Sequence, residues 1–141
     1  MIARDLRSTL LVRRAISPVS ESGNTAIEGQ VIDRLGYGSL LFAIALGSLG
    51  DSDATFTTLV EHGDASDSLS AVGDDQLSGT EANASFQYDN DNAVRSIGYI
   101  GNKRYVKLTI TPANNSSAAL VSAVALLGDP HNSPVSQSEP A

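Results

Sequence analysis

Tyr105-Val106-Lys107-Leu108-Thr109-Ile110-Thr111 decides the fold. Val106, Leu108 and Ile110 alternate with Tyr105, Lys107, Thr109 and Thr111, a two-residue period that gathers the aliphatic set on one side of an extended chain. A helix turning every 3.6 residues would scatter the same set around its circumference. The stretch therefore predicts a half-buried strand from Arg104 to Thr111, ended by Pro112, which has no N–H to give to a ladder. Ala93 to Ile100, just upstream, predicts a partner strand. Gly101-Asn102 between them predicts a tight hairpin turn, since both residues tolerate positive φ.

The pattern continues outward in both directions. Thr25 to Asp33 reads as a short strand ending before Leu35-Gly36-Tyr37-Gly38. Ser39 to Leu46 is an almost continuous apolar run, stopped by Gly47 and the turn Gly50-Asp51-Ser52-Asp53. Over Ala54 to Glu61, Phe56, Thr58 and Val60 alternate with Thr57, Leu59 and Glu61. Residues 62–82 are loop-rich, with apolar islands at Leu69, Ala71, Val72 and Leu77, and Ala84 to Tyr88 forms another short run. Ala118 to Leu127 has two readings: an Ala-rich helix between Ser117 and Gly128, or a buried central strand. The β character of every neighbour favours the strand. Seven or eight short strands without an internal repeat predict an all-β fold, a single-domain β-sandwich or jelly-roll-like barrel over 20–128. An extended N-terminal arm over 1–19 precedes it, and a polar, Pro-containing tail over 129–141 follows.

The 141 residues suffice for one domain. Aromatics are 5% of the chain and Trp is absent, so Val, Ile, Leu and Ala must build the core. The absence of Cys excludes disulfides, thiolate metal sites and Cys nucleophiles. A net charge of −7 argues against nucleic-acid binding, which needs clustered Lys and Arg. The charge is uneven. Residues 51–91 hold ten acids and no Lys or Arg, whereas residues 1–14 hold Arg4, Arg7, Arg13 and Arg14 against Asp5. Leu10-Leu11-Val12 is too short for a signal peptide, and no stretch approaches the roughly 20 apolar residues of a membrane span, so no membrane partner is expected.

The opening segment is the candidate interface. Arg4, Arg7, Arg13 and Arg14 interrupt it, yet Leu10, Leu11, Val12 and Ile16 make it too apolar for a solvated tail. Two readings stay open: an arm that orders against a neighbouring subunit or partner, or an edge strand of its own domain.

Catalytic inventory is thin. His62 lies among loop acids and His131 in the tail, both expected in solvent, and no nucleophile-elbow pattern accompanies them. Asp51-Ser52-Asp53 and Asp89-Asn90-Asp91-Asn92 offer the hard oxygens that Ca²⁺ prefers, but Asp and Asn are equally ordinary turn residues. Tyr37, Tyr88, Tyr99 and Tyr105 are few and scattered for a glycan-binding module. The expectation is no enzyme, no cofactor and no metal.

Met1-Ile2-Ala3-Arg4-Asp5-Leu6-Arg7-Ser8 leads a series of further features. These are Val31-Ile32-Asp33-Arg34-Leu35-Gly36-Tyr37, Phe56-Thr57-Thr58-Leu59-Val60-Glu61, Leu77-Ser78-Gly79-Thr80-Glu81, Ile97-Gly98-Tyr99, Lys103-Arg104-Tyr105-Val106-Lys107-Leu108 and Ala125-Leu126-Leu127-Gly128. As a whole, over about residues 1–130, the chain resembles small structural proteins of tailed bacteriophages and prophages, and among them head decoration (cement) proteins. The resemblance implies a virion protein on the capsid surface, assembled in the bacterial host cytoplasm, with the major capsid protein as partner and a homotrimer as assembly. A head-tail or tail component, including a glycan-binding β-sandwich module, is the alternative. No catalytic residue is implied.

Overall fold

The computed structural model describes residues 4–137. Among the described residues eleven strands run in chain order: β1 Leu11–Glu21, β2 Ile27–Glu28, β3 Ile32–Asp33, β4 Tyr37–Leu49, β5 Thr55–Ala65, β6 Ser68–Ala71, β7 Leu77–Ser78, β8 Phe86–Gln87, β9 Val94–Tyr99, β10 Tyr105–Ala113 and β11 Ala119–Pro130. They form two packed antiparallel sheets. One has the order β1-β11-β4-β9-β7; the other has the order β2-β10-β5-β6, with β3 also on β10 and β8 also on β5. The fold is thus an all-β sandwich. Among the described residues no helix is long and apolar enough to cross a membrane.

The core follows from strand alternation. In the first sheet, Leu11–Leu127–Leu40–Tyr99 forms one inward row, and Ala125–Phe42–Ile97 continues the same face. In the second, Ile110 lies between Thr58 and Ile27, Leu108 opposes Val60, and Val106 lies between His62 and Ile32. Apart from His62, which is half-buried, these residues are buried. Phe56 and Phe86 stack at 4.9 Å and close one end of the second sheet. Ala119–Pro130 is a strand and not a helix, because β1 and β4 flank it on both sides and occupy its backbone groups.

Two turn expectations are corrected. Gly101-Asn102 is not a hairpin, since β9 and β10 belong to different sheets and the segment arches from one to the other. Arg34 holds the arch, donating from Nε to the Lys103 carbonyl (2.9 Å) and from Nη2 to the Gly101 carbonyl (3.2 Å). Nor does Pro112 end its strand: it lies buried within β10 opposite Phe56, beyond the two residues that β2 pairs, where a missing N–H interrupts no β2 bond.

Candidate functional site

The outward faces of the two sheets differ in chemistry. The second sheet presents Tyr105, Lys107, Thr111, Thr57 and Glu61, with ion pairs between Lys107 and Glu28 (2.6 Å) and between Arg104 and Asp33 (2.8 Å). That is the solvated face an antiparallel sheet ordinarily turns to water. The first sheet presents Val12–Leu126–Leu41–Gly98 as one row, Arg14–Val124–Ala43–Ser96 as the next, and Ser122–Ala45–Val94 as a third. Leu120 stands beside Gly47 at the end. Leu41, Val124, Leu120, Val12 and Val94 are 37%, 39%, 44%, 44% and 66% exposed. Arg14 is the one charge in these rows, and it donates sideways to the Gln30 side chain at 3.0 Å. None of the ten acids of 51–91 stands in them. An open trough of about 400 Å³, lined by Pro18, Ala45, Gly47, Leu120 and Ser122 among others, crosses one end of the face.

The sequence carried a signal for this face. Ser39 to Leu46 and Ala118 to Leu127 are apolar on both alternation sets, a pattern expected of strands covered on both sides. A two-layer sandwich covers only one side, so the second apolar set is left in solvent.

Of the two readings left open for the opening segment, residues 11–21 take the edge strand of their own domain. Residues 11–21 form the edge strand β1 on β11, with a bulge between Arg14 and Ile16. The bulge turns two consecutive residues, Ala15 and Ile16, into the core, which a strict alternation would not do. Leu11 and Ile16 therefore serve their own domain. Leu10 and Arg13 are half-buried, Arg13 opposite Ala125; Val12 and Arg14 join the exposed face. Arg4 and Arg7 are exposed, Arg7 in the 3-10 turn Leu6–Thr9.

The β1 edge is blocked against strand addition. The Gln30 side chain donates to the Arg14 carbonyl (2.5 Å), and the Gln30 N–H donates to the Ala15 carbonyl (2.8 Å). Gln137 accepts from the Val12 N–H (3.4 Å) and donates to the Leu10 carbonyl (2.5 Å). Pro18 has no N–H. These contacts occupy the edge groups that a further strand would need.

His62 is not the free loop side chain expected. It continues the inward alternation Phe56, Thr58, Val60, His62, and its Nδ1 lies 2.7 Å from the Tyr99 hydroxyl, which also accepts from the Lys103 N–H (3.0 Å). Tyr99 is buried, with the Arg34 guanidinium 5.0 Å over its ring. Burial, and secondarily the Lys103 charge, lower the His62 pKa against a smaller opposing pull from Asp64. The group ties the two sheets together at one end of the sandwich. His131 is exposed.

The calcium candidates hold backbone. Asp51 accepts from the N–H of Asp53 (2.9 Å) and from both the N–H and the hydroxyl of Ser116 (2.8 Å each). Asp91 accepts from the Leu49 N–H at 2.9 Å, and Asn90 accepts from the Gln87 N–H at 2.8 Å. Among the described residues no group of three or more His, Cys, Asp or Glu is placed to hold a metal ion. The four tyrosines are dispersed: Tyr99 is in the core, Tyr37 pairs with Pro130, Tyr105 stacks under Arg104, and Tyr88 is exposed.

Fold and face together define a β-sandwich with one apolar, nearly charge-free outward face. No family model matches the chain, and no curated protein matches it. Among solved structures it is similar to the PBSX exported protein XepA, with a TM-score of 0.58 at 12% identity. That alignment covers all of this chain, which spans 44% of the XepA chain. The xylan-binding domain of CBM 22 aligns at a TM-score of 0.43 and 9% identity, covering 86% of this chain and 87% of that one. The infectious bursal disease virus VP2 subviral particle aligns at 0.41 and 12%, covering 86% and 32%.

Proposed function

We propose that this chain is a structural protein of a phage virion, non-enzymatic, whose role is to decorate the outer surface of the head. The observation that carries the proposal is the outward face of the β1-β11-β4-β9-β7 sheet, where Val12, Leu41, Val94, Leu120 and Val124 are exposed on an otherwise acidic chain. Exposed apolar surface of this extent marks a protein–protein contact. The family resemblance carried by the sequence supports the virion setting, and a sandwich fold similar to that of the PBSX exported protein XepA is compatible with it.

In this reading the chain assembles in the host cytoplasm and docks on the major capsid protein in many symmetric copies, each contact weak and the sum strong. The blocked β1 edge assigns attachment to side chains on sheet faces and to Arg4 and Arg7, not to a donated strand. The test is a density map of virions carrying the chain, paired with thermal release of DNA from heads with and without it. Copies on the head surface and earlier DNA release without them are expected. Copies on tail fibres, or none on the virion, overturn the reading.

A further inference from the structure

We infer that the apolar face of the β1-β11-β4-β9-β7 sheet packs against the same face of a second copy of this chain, about a two-fold axis lying in the interface and crossing the strands at the Val124–Ala43 row. The inference rests on the reading of this face as a docking surface and names a second copy as its occupant, which leaves the outward face of the other sheet and the exposed Arg4 and Arg7 for attachment to the head.

The residue sizes along β11 and β4 carry the argument. Outward residues run Leu120, Ser122, Val124, Leu126, Gly128 along β11, and on β4 Ala45, Ala43, Leu41 and Ser39 stand beside the last four. Gly47 takes the place beside Leu120, where an added Cβ would lie 2.9 Å from the leucine Cβ. Ridges (Leu120; Leu126 with Leu41) therefore alternate with troughs (Ser122 with Ala45; Gly128 with Ser39) about Val124. A two-fold axis through Val124 and across the strands exchanges each ridge with a trough. Leu126 and Leu41 of one copy fall over Ser122 and Ala45 of the other, where the 400 Å³ trough lies open, and Leu120 falls over Gly128 and Ser39. An axis parallel to the strands would instead set ridge on ridge. The self-complementary pattern is what an isologous contact requires.

Charge and area agree. Two copies of a −7 chain repel over most of their surfaces, but these rows contain no acid, and Arg14, which the axis sets opposite its own copy at the edge strand, is turned aside to Gln30. Four strands, β1, β11, β4 and β9, spaced at 4.8 Å, over about eight residues at 3.3 Å each, give a face of roughly 19 by 26 Å. The pair would bury about 1,000 Å² in total, at the roughly 1,000 Å² threshold of a specific interface and so at its weaker end. Aligned sheets packed face to face have room for this interdigitation at about 10 Å separation. The two-fold pair takes the place of the threefold grouping that the family resemblance implies.

The test uses the full chain. Sedimentation equilibrium should give twice the chain mass, and Val124→Arg should return it to the chain mass, with a dissociation constant at least tenfold higher, an unchanged far-UV spectrum and a melt that stays cooperative but no longer rises with protein concentration. The chain has no Cys, so Val124→Cys, close to the axis, should be captured as a covalent pair by a short bis-maleimide cross-linker, the sheets standing too far apart for a direct disulfide, whereas Thr57→Cys on the opposite sheet should not. A monomer at every concentration, a trimer, or a dimer indifferent to Val124→Arg overturns the inference. If the chain is monomeric but Val124→Arg removes it from virions, the docking reading survives and the pairing fails. If it pairs but is absent from virions, the pairing stands and the proposed function fails.

Discussion

Deleting residues 1–17 should unfold the protein, whereas deleting residues 1–9 should leave it folded. The longer deletion removes Leu11, Ala15 and Ile16, which are 6%, 2% and 4% exposed. Full burial of Leu or Ile is worth about 1.5–3 kcal/mol each, and the Ala15 methyl adds about 0.8. The loss is therefore about 4–7 kcal/mol before the newly exposed Ala123, Ala125 and Leu127 of β11 are considered. Small domains have about 5–15 kcal/mol in total. Among the described residues the shorter deletion takes only exposed or half-buried ones, with two carbonyl acceptors, Arg7 for the Gln137 side chain (2.9 Å) and Ser8 for the Val135 N–H (2.9 Å). Its cost should stay near 1–2 kcal/mol. Ile16→Ala provides a graded step of about 2–5 kcal/mol, which lowers the melting temperature by roughly 5–15 °C in a domain of this size. Circular dichroism melts and size-exclusion profiles of the three variants decide the matter. A 1–17 deletion that melts cooperatively within a few degrees of the full chain would refute the reasoning and restore residues 11–19 as a separable arm.

Gly29→Ala should cost about 1–3 kcal/mol by overpacking in urea titrations, because the added methyl meets the carbonyls of Leu108 at 2.6 Å and Ala15 at 2.8 Å. Tyr99→Phe should cost a similar 1–3 kcal/mol, since the Lys103 N–H and His62 Nδ1 both lose the hydroxyl; an unchanged urea midpoint would show that the inter-sheet tie is dispensable. His62 has a folded pKa below its ordinary 6.5, so the unfolded chain takes up its proton first. The associated stability is present above pH 6.5 and is lost as pH falls through the lowered folded value. Wild type should therefore weaken relative to His62→Gln over that window, and parallel pH profiles would contradict the assignment. Asp33→Asn should cost at most about 1 kcal/mol, less in high salt, because both partners of the Arg104 pair are 45% exposed.

His62 illustrates how register overrides local composition. Its neighbours Glu61 and Asp64 suggest a solvated loop, but β5 runs to Ala65, and alternation from Phe56 brings residue 62 inward. Strand length, set here by pairing with β10 as far as Tyr105–Gly63, decided the environment of the side chain.

Alternation within Tyr105–Thr111 and Phe56–Val60 was enough to specify strands and their buried sides, because the period of a strand is a local property of the backbone. The aliphatic composition and the absence of Cys were likewise sufficient to require a core made by burial alone. Strand partners were not legible: β9 and β10 are adjacent in sequence yet lie in opposite sheets, and β1 pairs with β11 from the far end of the chain. Such pairings depend on which apolar faces meet across the whole chain, and no local pattern encodes that. The docking face was half legible, since doubly apolar Ser39–Leu46 and Ala118–Leu127 declared two apolar sides. Only the two-layer architecture decided that one of those sides would be left uncovered, because a second sheet packs against one face of β4 and β11 and nothing within the described residues covers the other.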